Sequence, residues 1–209
     1  MTMTKTRAGW AALGLTLLSM AWAPARADSG ELADALGATR TLAGVFEQTL
    51  SDSDGLVLEA SRGQFSLSRP GAFRWDYEQP YVQKVICDGD TIWHYDQDLA
   101  QVTVRTVGDA LSATPAALLS GAADLDETFA VEDLGDGRYR LTPRTAEAEF
   151  ESATVQLEDG VIRALEIDDA LGQRTRIEFS DVARNVQFRD GWFRFEPPPG
   201  VEVVGEPGA

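Results

Sequence analysis

The 209-residue chain is poor in the residues that most often carry chemistry: it has one cysteine, Cys87, and one histidine, His94. A single cysteine excludes an intramolecular disulfide. Its place at the end of the apolar run Val85-Ile86-Cys87 reads as a small buried side chain rather than a reactive thiol, since no base lies beside it in sequence. A single histidine excludes most metal sites and most Ser–His or Cys–His catalysis. His94 sits in Ile92-Trp93-His94-Tyr95 and reads as an ordinary strand residue. There is no GxSxG, HExxH or P-loop pattern. Acidic residues are plentiful, but Asp52, Asp54, Asp88, Asp90, Asp96, Asp98, Asp136 and Asp159 fall in turn sequences. Turn chemistry explains them better than a carboxylate pair for glycoside hydrolysis. No catalytic residue, metal ligand or cofactor site is assigned, and the chain is not expected to be an enzyme.

Lysine is scarce as well; beyond residue 27 only Lys84 remains, every other cation being arginine. The first 27 residues carry Lys5, Arg7 and Arg26 and no acid, so their removal takes the formal charge from −16 to −19. They read as a secretory signal peptide: a positive start, an apolar run from Ala8 to Met20, and the small-x-small site Ala25-Arg26-Ala27 before Asp28. No later run is long enough to span a bilayer, and no cysteine stands at the signal's end to take a lipid anchor. The expectation is an exported, soluble chain without stable membrane insertion, with residues 28–209 forming one domain. Its acidity argues against nucleic acid and anionic lipid, both polyanions.

What is abundant is short strands. Phe73, Trp75 and Tyr77 alternate with Arg74 and Asp76, which places three rings on one sheet face and two charges on the other. Strands are predicted at 45–50, 56–67, 73–77, 81–87, 91–95, 100–107, 129–134, 138–142, 153–158, 161–168, 174–179 and 192–195. Asp88-Gly89, Asp136-Gly137 and Asp159-Gly160 signal hairpin turns. Short helices are predicted at Glu31–Leu36, stopped by Gly37, and at Thr114–Leu119, with Pro115 at its first position and Gly121 as its stop. The pattern gives a mainly β (α+β) domain, an antiparallel barrel or sandwich of about 11 strands. A curled sheet with one apolar face is a cup. Filled by its own side chains it is a core, left partly open it is a lipid site, and shape alone leaves both readings standing.

The order and spacing of several motifs go further. These are Phe46-x-Gln48; Gly63-x-Phe65-x-Leu67-x-Arg69-Pro70-Gly71-x-Phe73-Arg74-Trp75; Asp88-Gly89-x-x-Ile92-Trp93-x-Tyr95-Asp96; Gln101-Val102-Thr103; Thr114-Pro115 with Leu118-Leu119; Leu141-Thr142-Pro143; and Phe195-x-Pro197-Pro198-x-Gly200-Val201. Across nearly the whole chain after residue 27, this series resembles the LolA family of periplasmic lipoprotein carriers. The resemblance implies an incomplete antiparallel β-barrel with short helices as a lid over an apolar cavity that takes lipoprotein acyl chains. It implies that Arg69 latches the lid by donating to lid carbonyls. It places Phe46, Phe65, Leu67, Phe73, Trp75, Ile92 and Leu118 in the cavity wall, with Phe73 also a partner contact, and Leu32, Leu36 and Leu119 in the lid.

The partners so implied are an inner-membrane lipoprotein-release ABC complex of the LolCDE type and the outer-membrane acceptor lipoprotein LolB, the carrier itself being a monomer. LolB shares the fold; the missing lipobox cysteine favours the soluble donor. Two alternatives stand beside this reading. One is a lipid- or lipoprotein-sensing paralogue in envelope stress, although larger sensors of that kind carry an extra domain for which residues 28–209 leave no room. The other is a carrier of a different lipid.

Overall fold

A computed structural model describes residues 29–107, 119–120, 125–145, 148 and 150–205. The signal peptide expected over residues 1–27 and most of the helix expected at 114–119 lie outside the described residues. The described residues begin with α1 (Ser29–Gly37), which turns Leu32 fully into the interior and packs Ala35 and Leu36 against it. The 3–4 spacing of these residues gives the helix its single apolar stripe.

Twelve strands follow: β1 (Thr41–Ser51), β2 (Val57–Ser68), β3 (Ala72–Gln79), β4 (Gln83–Asp88), β5 (Thr91–Asp96), β6 (Gln101–Thr106), β7 (Phe129–Gly135), β8 (Arg138–Pro143), β9 (Phe150–Glu158), β10 (Val161–Asp169), β11 (Arg174–Arg184) and β12 (Glu202–Val204). A one-turn helix, α2 (Leu125–Thr128), leads into β7. All twelve form one sheet in the order β12-β6-β5-β4-β3-β2-β1-β11-β10-β9-β8-β7. Neighbours are antiparallel except β12, which lies parallel to β6 with Val203 opposite Val102. Asp136 and Gly137, and Asp159 and Gly160, all have positive φ, the left-handed pair that a two-residue hairpin turn requires.

The sheet is strongly curled. Trp75 on β3 and Phe179 on β11 are three strand positions apart, which in a flat sheet is about 14 Å. Their ring centroids are 6.0 Å apart. The concave face is thus a narrow cup whose two outermost strands, β12 and β7, do not pair: an incomplete barrel. Gly63 permits part of the curl, because a Cβ there would collide with the Asp76 carbonyl and press on the Phe46 ring.

The structure corrects the expectations in two places. Residues 192–195 are not a strand; Asp190–Phe193 form a turn, and the twelfth strand is the short β12 instead. The face opposite the cup is also not uniformly wet. Ile86, Val102 and Val104 are buried there, beneath the chain that returns from β11 to β12. Trp192 of this strap stacks on Phe188 at 5.9 Å and lies under the Arg74 and Arg189 guanidinium groups at 5.2 and 5.1 Å, while Phe195 packs on Tyr95 at 5.6 Å. Below Trp192, Arg74 Nε donates to Asp76 Oδ2 at 2.6 Å.

Candidate functional site: the cup and its fastening

The strand alternation that puts Phe73, Trp75 and Tyr77 on one face sets them beside Phe65 and Leu67 of β2 and Phe46 of β1. Phe46 lies 4.7 Å from Trp75 and, edge-on, 5.1 Å from Tyr77; Phe65 lies 5.5 Å from Trp75 and 5.1 Å from Phe179. Tilted and edge-to-face rings at these separations add to the burial energy of each, itself about 1.5–3 kcal/mol per large side chain. Of the residues assigned to the wall and lid, Phe46, Phe65, Leu67, Phe73, Trp75, Ile92, Leu32 and Leu119 are all buried in one continuous cluster, and Leu36 packs against it. Leu118 lies outside the described residues. Among the described residues these side chains pack on one another, and Phe73 is 1% exposed.

The rim is held by the turn between β2 and β3. The Arg69 guanidinium donates to the Leu119 carbonyl from Nε at 3.2 Å and from Nη2 at 2.9 Å, and to the Thr39 carbonyl from Nη1 at 3.2 Å. Two residues on, Gly71 N donates to the Ser120 carbonyl at 3.1 Å. One turn therefore binds the exit of α1 and the Leu119-Ser120 segment to the sheet. Among the described ion pairs Arg69 meets no carboxylate. Burial lowers its pKa to about 10, which leaves it charged at neutral pH. Desolvation opposes the three charge-assisted bonds, so the fastening is strong in geometry and modest in net energy.

Cys87 is buried, and burial, the dominant cause, pushes its thiol up to about 11; it is a packing residue. His94 lies on β5 in register with Val85 and Thr103. Among the described residues no three His, Cys, Asp or Glu side chains are gathered as a metal site, and no helix is long and apolar enough to cross a membrane. Thr39 was missed by the sequence reading, because a main-chain carbonyl acceptor leaves no pattern in sequence. Trp192 was misplaced, as part of a strand.

Comparison with known proteins decides the kinship. The family model described as outer membrane lipoprotein carrier protein LolA matches residues 37–196. The chain belongs to the LolA family. An outer-membrane lipoprotein carrier protein of Alkalilimnicola ehrlichii is 38% identical over 205 residues, 96% of either chain. One from Halorhodospira halophila is 47% identical over 164 residues, 78% of either chain. Among solved structures, a LolA-superfamily protein of Nitrosomonas europaea matches with a TM-score of 0.46 at 12% identity, covering 74% of this chain and 90% of that one.

Proposed function

We propose that this LolA-family chain is a periplasmic carrier that takes the acyl chains of lipoproteins released from the inner membrane and delivers them to an outer-membrane acceptor. The observation that carries the reading is an apolar, aromatic-lined cup fastened at its rim by one arginine, in a chain 38–47% identical to proteins named as lipoprotein carriers. Burying an acyl methylene is worth about 0.8 kcal/mol, so a free lipidated protein would aggregate or insert at random in transit. A carrier must hide those chains and still release them, which requires closed and open states of similar free energy.

In this proposal Arg69 is the latch, the aromatic cluster is the surface that opens to acyl chains, and α1 with the Leu119 segment is the lid. An inner-membrane release complex of the LolCDE type loads the carrier and LolB unloads it. No enzymatic step is assigned. The test is release from spheroplasts. Purified protein should bring newly made lipoproteins into the supernatant as a soluble complex and pass them to outer-membrane vesicles. Absence of release while an established carrier works in parallel would sink the reading.

A further inference from the structure

β2 outruns its neighbour. It begins at Val57, but its pairing with β3 begins only at Arg62, opposite Gln79. Over residues 57–61 it has β1 on one side and, among the described residues, no strand on the other. That open edge is about 17 Å long at roughly 3.4 Å per residue. A strand edge presents unpaired N–H and C=O groups, and proteins usually blunt it with lysine, proline or a cover. Here its one charged residue is Glu59, and residues 57–60 are all exposed. Val57 and Leu58 are 56% and 50% exposed, and Leu56 just before them is 65% exposed. The turn between β10 and β11 adds Leu171, 80% exposed. The two hairpin tips touch: a Cβ on Gly172 would stand 3.2 Å from the Ser53 Cβ.

An aspartate fixes each tip. Asp52 Oδ1 accepts from Asp54 N at 3.0 Å and from Leu56 N at 2.9 Å. Asp169 Oδ1 accepts from Leu171 N and from Gln173 N, each at 2.8 Å. Ordered turns, not slack loops, hold Leu56 and Leu171 in the open. The cup makes no use of these apolar side chains, none of which belongs to its cluster. Grouped on two touching hairpins, they form a patch rather than scattered surface residues. Asp52, Asp54, Glu59 and Asp169 give that patch a negative surround. Of the cations at these hairpins, Arg174 is bonded to Asp168 at 2.7 Å, and Arg62 stands across from Glu47. The open edge calls for a strand, the apolar side chains for apolar ones, and the acids for lysine or arginine. The same acids disfavour an anionic bilayer. We propose that the 57–61 edge, with Leu56 and Leu171, is a docking surface. It adds an extended segment of a partner protein, apolar and basic in alternation, as a short strand in line with β3. The surface lies at the end of β2 away from Arg69 and does not depend on the carrier reading.

The test titrates the purified protein, followed by amide NMR, with a synthetic eight-residue peptide of alternating valine and lysine. Two control peptides accompany it, one with its central valines replaced by proline and one with glutamate in place of lysine. The valine–lysine peptide should shift the amides of residues 57–61 and slow their exchange with solvent. Each control should bind about tenfold or more weakly, for want of edge hydrogen bonds or of the right charge. The Val57→Lys/Leu58→Lys variant should lose the peptide by a similar factor. Its urea midpoint should match the parent's, because both side chains are exposed. No binding, shifts centred elsewhere, or equal binding of all three peptides would overturn the docking surface. Dimerisation of the protein alone that the variant abolishes would also overturn it, by giving the edge to a second copy. Binding to phosphatidylcholine vesicles that the variant abolishes would overturn it in favour of a bilayer. Lipoprotein release from spheroplasts is a separate readout, so the carrier reading stands or falls on its own.

Discussion

Gly63 lies against the backbone carbonyl of Asp76, with no room between them for a methyl group. The contact lets β2 and β3 approach beside the register shift at Arg62 and Gly63, and it leaves the Phe46 ring seated above. A Gly63→Ala chain must push apart backbone on one side and a packed ring on the other. We expect a loss of about 2–4 kcal/mol, by the usual cost of overpacking plus backbone displacement. Urea unfolding measures it; a midpoint within error of the parent would show that the strands part without strain.

Arg69→Leu removes three donors from two carbonyls and leaves the aromatic cup unchanged. The expected variant still accepts lipoprotein but releases it poorly, because closing no longer helps to expel the chains. Transfer to acceptor vesicles should fall about tenfold or more, on the scale of one or two charge-assisted bonds. Arg69→Lys should fall between, since one ammonium cannot reproduce the planar fork. Normal transfer by Arg69→Leu in a purified assay would remove the latch from the mechanism.

Alkaline pH should act against the fold through two buried groups that are acids, Cys87 and Tyr77. Burial raises Cys87 from 9.0 to about 11 and Tyr77 from 10.0 to about 12. Both groups are neutral when protonated and are held so by the fold. The unfolded chain therefore loses these protons first, and stability, complete below pH 9, declines as pH rises through 9 to 12. The Cys87 share is roughly 2–3 kcal/mol by pH 11. Urea midpoints across this range should fall, and Cys87→Ala should flatten the lower half of the decline. The thiol should also resist alkylation at pH 8 until denaturant is added.

Trp192→Ala tests the strap. The ring is stacked on Phe188 and lies under two guanidinium groups. Removing it should cost about 2 kcal/mol and loosen the cover over Ile86, Val102 and Val104. Amide exchange should quicken in β6, which has β12 as its outer neighbour, and stay unchanged in β9 and β10. Uniform protection across the sheet would show that the strap is ornamental to stability.

The strands were legible because alternation and Asp-Gly turns are local signals. The 73–77 run and the turns at Asp136-Gly137 and Asp159-Gly160 are formed as read. The strap was not, because the Trp192-Phe193-Arg194-Phe195 run alternates like a strand yet buries its rings against a sheet already built. Its contacts with Arg74 and Tyr95 join residues about a hundred positions apart, and no window on the sequence contains both. Arg69 presents the same difficulty. Its side chain reaches main-chain oxygens, and any residue at positions 39 or 119 supplies one, so only kinship pointed to it.

A single guanidinium grips Thr39 and Leu119 at once, although the two belong to segments far apart in the chain. Neither segment can lift without withdrawing a bond from the group that steadies the other. In the carrier as proposed, movement at one side of the rim is then felt at the other through one side chain, with no chain of intermediaries.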